Sequence, residues 1–227
     1  MNIALISSNK NPFLNWYLEK LLYLGIKNIF IIIDKKKFSK KDLNIIKQRL
    51  DYKTLRHLKK TKSAKDKFKF KVFDEFDSKK NFNFFKKNKI NIFLNAGLVK
   101  KINLNFTKKF KVLNAHPGIL PYYRGANCPE WSILNNFPIG ITIHIMNNKY
   151  DSGRIIKIKK INKNFKNYKQ FRSHVYEESI LFGLNMLKKI QKKPSILKNS
   201  KIQEEKKSKF YKPMPKELLK LVKKSFN

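Results

Sequence analysis

Asn114, His116 and Asp151 are the residue types that acyl transfer would use. An amide NH₂ can hydrogen-bond a developing oxyanion, and an imidazole can move a proton near neutral pH. A carboxylate can set that imidazole's protonation and order a water. Asn114 and His116 stand two apart, which on a strand puts both side chains on one face. The run that holds all three, NAHPGILPYYRGANCPEWSILNNFPIGITIHIMNNKYDSG at 114–153, contains four of the seven glycines (118, 125, 140, 153) and four of the eight prolines (117, 121, 129, 138). Gly and Pro concentrated in this way mark turns of defined backbone geometry.

These residues need elements to carry them. NIALIS (2–7) reads as a buried strand, PFLNWYLEKLLYLG (12–25) as a helix with Pro12 in its first turn, and KNIFIIID (27–34) as a second strand, a β-α-β opening that predicts a parallel sheet. The Lys-rich stretch 35–70 has apolar positions at helical spacing and reads as surface helices. FKFKVF (68–73), a helix near 78–88, and strands at 90–97 and 109–116 continue the alternation. Asn114 and His116 then fall at a strand's carboxyl end, where open α/β sheets place their sites. A helix capped by Asn127 follows, then two strands (139–146 and 154–161) that flank NNKYDSG as a hairpin carrying Asp151. Residues 168–190 form a long amphipathic helix. The expected organisation is one domain over 1–190 and a peripheral basic tail, 191–227, with a short helix at about 215–225.

The formal net charge of +38 raises the alternative of a non-enzymatic nucleic-acid-binding protein. However, 48 of the 53 basic residues are Lys, and Lys, Asn, Ile, Phe and Tyr are all specified by A/T-rich codons. Nucleic-acid readout favours Arg forks, in which this chain is poor with five Arg, and residues 114–153 carry Arg124 and Lys149 against Glu130 and Asp151, a net charge of zero. Cys128 is the lone cysteine, so no intramolecular disulfide forms, and a reducing cytoplasm is the expected location. No apolar window reaches the length of a membrane span. The histidines at 57, 116, 144 and 174 show no metal-ligand spacing, so no metal is expected.

The ordered motif N-x-H-P-G-x-L-P-x-x-R-G, P-x-x-W-x-I, G-x-T-x-H-x-M and D-S-G, over about residues 90–160, resembles the folate-dependent formyltransferase family. The resemblance implies a Rossmann-like α/β fold, with a mostly parallel central sheet flanked by helices and a β-hairpin carrying the Asp. It also implies 10-formyltetrahydrofolate as formyl donor to an acceptor amine. By motif, Asn114 would hold the formyl oxygen, His116 would assist proton transfer and Asp151 would orient and relay. Thr142 and His144 would stand behind Asp151; Arg124 and Gly125 read as a structural turn, with Arg124 positioning that loop or an anionic acceptor as the functional alternative. The pterin would pack against Ala96, Gly97, Leu98, Val99 and Ile102 on one loop and Asn147, Asn148 and Tyr150 on another.

The form HPG and the following W-S-I resemble the sugar N-formyltransferases most, which implies a nucleotide-linked amino sugar as acceptor and suggests a homodimer. Purine-pathway relatives, the phosphoribosylglycinamide formyltransferases, hold a phosphate with a glycine-rich loop after the first strand. Here that loop reads SSNKNPF, without glycine. The tRNA-acting relatives carry a further C-terminal domain, for which residues 191–227 are too few. Cys128 and Trp131 read as packing residues.

Overall fold

The computed structural model describes residues 2–60, 65–162 and 164–226. Strand β1 (Asn2–Asn9) is buried from residue 3 to residue 8, as an apolar run without alternation requires in a sheet covered on both faces. Helix α1 (Leu14–Tyr23) begins after Pro12, with Phe13 at its N-cap, and ends before Gly25, whose φ of +67° is the left-handed turn that closes a helix. Strand β2 (Ile29–Lys37) pairs parallel with β1. Helices α2 (Lys40–Arg49) and α3 (Tyr52–Lys60) occupy the Lys-rich stretch, α2 starting from a capping box in which Ser39 and Asp42 satisfy each other's backbone. The part of that stretch at 61–64 lies outside the described residues.

Strand β3 (Lys69–Phe73) follows, then helix α4 (Phe82–Lys87), strand β4 (Ile90–Asn95), helix α5 (Leu104–Lys109) and strand β5 (Lys111–His116). A two-residue strand β6 (Arg124–Gly125) precedes helix α6 (Cys128–Leu134), and the hairpin β7 (Ile139–Ile145) and β8 (Ile155–Ile161) leads into helix α7 (Tyr168–Lys192). The main sheet has the order β3-β2-β1-β4-β5-β7-β8, parallel from β3 to β5 and antiparallel at β7 and β8.

Apolar side chains cover both faces. On one, α1 and α7 pack over Ile3, Leu5, Ile31, Leu94 and Leu113 through Leu18, Leu21, Leu184 and Leu187. On the other, Phe85, Phe93 and Phe106 meet edge-to-face with ring centroids 5.1–5.6 Å apart. Edge-to-face geometry sets the positive rim of one ring against the negative face of the next and adds about 0.5–1.5 kcal/mol per pair beyond burial.

The last segment is not a peripheral tail. Strand β9 (Phe210–Tyr211) pairs parallel with β6, and helix α8 (Lys216–Lys224) packs on α6. Ser200, Gln203, Tyr211, Met214 and Val222 are all buried. The high Lys content of 191–227 obscured this, because the few residues that face inward are separated by charged ones. Among the described residues, no helix is long and apolar enough to cross a membrane.

Candidate active site

Asn114 and His116 lie at the end of β5, and the antiparallel register with β7 sets Asn114 opposite His144 and His116 opposite Thr142. The amide of Asn114 is held at both ends. Its Oδ1 accepts from Asn95 Nδ2 at 3.2 Å, and its Nδ2 lies 3.3 Å from His144 Nε2. Asn95, at the end of the neighbouring strand β4, thereby decides which end of the Asn114 amide is the donor. Its own Oδ1 accepts from the backbone N–H of Gly97 and Leu98 at 3.1 and 3.0 Å.

His116 is 3% exposed. Its Nε2 lies 2.8 Å from the Tyr123 carbonyl and its Nδ1 3.4 Å from Asp151 Oδ1. A neutral ring can donate to only one of these acceptors, so the pair favours the imidazolium. Burial works the other way and is the larger effect, and the imidazole's pKa is lowered from its ordinary value of 6.5.

Asp151 sits at the hairpin turn with φ +51°, a left-handed conformation that Asp tolerates better than most residues. Its Oδ2 accepts from Gly125 N–H at 2.9 Å, while Oδ1 also lies 3.6 Å from His144 Nε2. Burial would raise this carboxyl, but His116, His144 and the Gly125 N–H outweigh it and hold Asp151 well below the usual carboxylate range. A carboxylate, an imidazole and an oriented amide donor thus converge at the end of one strand and the turn beside it. Together they can order a water, move a proton and stabilise an oxyanion.

Thr142 stands opposite His116. Its hydroxyl donates to Gly118 O at 2.6 Å and accepts from Leu120 N–H at 3.1 Å, fixing the loop after His116. Arg124 is buried, and its guanidinium donates to Gln203 Oε1 from Nε (3.1 Å) and Nη2 (2.8 Å) and pairs with Glu205. Asn127 precedes α6 without capping it by a side-chain hydrogen bond, because its φ is +55° and its Oδ1 instead accepts from Met214 N–H at 3.3 Å. Cys128 is buried, and desolvation, with Asp151 and Glu130 nearby, pushes its thiol far up, so it is a packing residue and not a nucleophile. Trp131 packs against Tyr211 and donates to Lys212 O at 3.2 Å.

Of the pterin-facing residues expected from the motif, Gly97, Leu98 and Val99 lie half-exposed on the loop after β4, and Asn147, Asn148 and Tyr150 are exposed on the hairpin turn. Lys101 Nζ sits 5.6 Å from the centre of the Tyr150 ring, so these two loops face each other. Ala96 and Ile102 differ in being buried, Ile102 among the phenylalanines that cover the second face of the sheet. Val99 N–H donates to Ser8 Oγ at 3.1 Å, and Asn11 Nδ2 donates to Ser7 Oγ at 2.8 Å and to Ala96 O at 2.5 Å. The loop after β1 is therefore tied to the loop after β4.

On the α1 and α7 side a cavity of about 290 Å³ opens beside Asn114, walled by Asn95, Pro117, Phe13, Phe38 and Tyr176. Arg172 closes one wall, 3.4 Å from Glu130 Oε1, and Glu130 accepts from Tyr168 O–H at 2.7 Å. Among the described residues, no group of three or more His, Cys, Asp or Glu is arranged to hold a metal ion.

The family model described as "Formyl transferase" matches residues 1–163 of the chain. The chain belongs to the formyl transferase family. Among curated members, the phosphoribosylglycinamide formyltransferase of Haemophilus influenzae is 33% identical over 75 residues, which is 32% of this chain and 35% of that protein. The match thus spans about a third of that relative's length. Among solved members, a sugar N-formyltransferase from Shewanella sp. superposes with a TM-score of 0.58 at 18% identity, over 94% of this chain and 77% of that one. The N-formyltransferase of Helicobacter canadensis, solved with folinic acid and dTDP-3-aminofucose, gives 0.53 at 23% identity, over 93% and 71%. At these identities the superpositions establish the shared α/β formyltransferase fold.

Proposed function

We propose that the protein is a folate-dependent N-formyltransferase that moves a formyl group from 10-formyltetrahydrofolate to the amine of a nucleotide-linked amino sugar. The amine nitrogen bonds to the formyl carbon, the bond from that carbon to the folate N10 breaks, and the proton given up by the amine ends on N10. Asn114 donates to the formyl oxygen as it gains charge. His116 and Asp151 exchange the proton at the Nδ1 edge they share, since Nε2 faces the Tyr123 carbonyl. The folate lies between the loop after β4 and the hairpin turn, and the acceptor enters the cavity beside Asn114. A metal plays no part in this scheme, and the single buried cysteine suits a reducing cytoplasm.

One observation carries the choice of acceptor. Ser7 and Ser8 are fully buried, with Asn11 bridging Ser7 to Ala96 and Ser8 Oγ accepting from Val99 N–H, so these side chains are turned inward on a loop that has no glycine to shape a backbone phosphate cradle. The cavity walls are aromatic instead, and Phe13, Phe38 and Tyr176 suit the flat faces of a sugar ring or base. The competing reading, glycinamide ribonucleotide as acceptor, is favoured by the Haemophilus influenzae relative.

The test is loss of 10-formyltetrahydrofolate against a panel of nucleotide-linked amino sugars, with glycinamide ribonucleotide included and His116→Ala as the blank. Turnover with an amino sugar, abolished in the variant, supports the reading. Turnover with glycinamide ribonucleotide alone replaces it with the purine one.

A further inference from the structure

Gln203 belongs to none of the motifs around Asn114 and His116, yet it is 6% exposed and makes four hydrogen bonds at the site. Its Nε2 donates to two carbonyls of the hairpin turn, Asp151 O at 2.8 Å and Gly153 O at 2.6 Å. Its Oε1 accepts from Arg124 Nε and Nη2 at 3.1 and 2.8 Å. Arg124 in turn precedes Gly125, whose N–H holds Asp151 Oδ2 at 2.9 Å. One amide therefore joins the backbone beneath the Asp151 carboxylate to the strand that donates to it.

The segment carrying Gln203 is anchored on both sides of the turn. Lys201 and Ile155 exchange backbone hydrogen bonds at 2.7 and 2.8 Å, and Arg154 Nε donates to Ser200 Oγ at 3.0 Å. Arg124 N–H donates to Lys209 O at 3.0 Å and Ala126 N–H to Tyr211 O at 2.9 Å. Residues 200–211 thus form a strap across the two segments that converge on Asp151. Within the turn, Asn147 Oδ1 accepts from Lys149 N–H at 3.1 Å and from Ser152 O–H at 2.8 Å, but the carbonyls of Asp151, left-handed at φ +51°, and of Gly153 are held from outside by Gln203. A left-handed residue of this kind keeps its conformation only when its surroundings over-determine it.

We infer that Gln203 is a positioning residue for Asp151, fixing the left-handed turn so that the carboxylate stays against His116 and Gly125 N–H. This rests on the reading of Asp151 as part of the reaction. The variants that test it are Gln203→Met, which keeps the length and removes donor and acceptor, and Gln203→Glu, which keeps an acceptor for Arg124 and discards the donor to the turn.

Amide hydrogen exchange at Gly125 reports the Asp151 contact without any substrate. We expect its exchange to quicken by tenfold or more in both variants while the β1 amides keep their protection. With an accepted acceptor, kcat should fall about 10- to 100-fold, with the KM for folate within about threefold. Unchanged Gly125 protection in a folded variant overturns the inference, as does a loss of protection shared with β1, which would make Gln203 a general stability residue. Should Gln203→Met fail to fold, Gln203→Glu decides. Asp151→Asn, assayed alongside, separates the two readings. Full activity in Asp151→Asn removes the role of Asp151 itself, whereas an inactive Asp151→Asn with an unperturbed Gln203→Glu removes only the strap.

Discussion

Gly125 N–H donates to Asp151 Oδ2 at 2.9 Å, while Oδ1 of the same carboxylate lies 3.4 Å from His116 Nδ1. Both oxygens are thus committed, one to a backbone donor and one to the imidazole. Asp151→Asn would break this arrangement, because an amide presents NH₂ where one of the two donors now points. Steady-state assays should show kcat reduced by about 10²–10⁴, the range for loss of a proton-transfer partner.

The same variant carries a signed pH prediction. Burial lowers the pKa of His116 from 6.5 and Asp151 pulls it back up, so replacing the carboxylate must lower it further. The acid limb of kcat/KM should lie below pH 6.5 in the natural protein. In the residual activity of Asp151→Asn it should move to still lower pH. A limb that rises would show that Asp151 does not stabilise the imidazolium.

Asn114→Ala should cost about 10²–10³ in kcat as the loss of one oxyanion donor. Asn95→Ala leaves that donor present but lets the amide turn over, since Asn95 Nδ2 is what Asn114 Oδ1 accepts from. We expect a smaller loss, about tenfold, with folding stability changed by about 1 kcal/mol. Parallel assays and thermal melts check both.

Gly118 is required by space rather than by backbone freedom. A Cβ there would stand 2.7 Å from His116 Nε2 and 2.7 Å from Tyr123 O, between the ring and the carbonyl it faces. Gly118→Ala should therefore displace the imidazole, lowering activity by more than tenfold and stability by about 1–3 kcal/mol. Activity and melting temperature measured on one preparation are the check.

Stability should depend on acidity in two windows. His116 has a lowered folded pKa, so its contribution is complete above its unfolded value of 6.5 and declines as pH falls below it. Asp151 behaves likewise from its unfolded value of 3.8 downward, until pH reaches its depressed folded value. Denaturant melts at pH 7.5, 5.5 and 3.5 should show successive losses. His116→Ala should remove the first step.

Much of this could be read from the residues. β-branched and aromatic runs bounded by Gly and Asn marked the strands, and the ordered motif shared with the formyltransferases pointed to Asn114, His116 and Asp151 as the candidate site. Less legible were contacts made by polar residues far away in the chain. Asn95 looked like the end of a strand, and only the parallel register of β4 with β5 brings it to Asn114. Gln203 carried no signal, lying among lysines with no apolar period around it. The burial of Ile102 was also hidden, because a motif assigns a loop position without saying which side chains the phenylalanines behind it will pack against.

The strap has a consequence for the order in which the protein matures. Gln203 follows Asp151 by 52 positions, with the whole of α7 made in between. The parallel strands β1 to β5 all precede Asp151 in the chain, so they can assemble before the turn that bears it is made. The turn bearing Asp151 must wait until residues 200–211 arrive. A nascent chain that stops within α7 would hold every residue of the candidate triad and still have its carboxylate untethered, so competence would come as a late event of biosynthesis rather than an early product of the sheet.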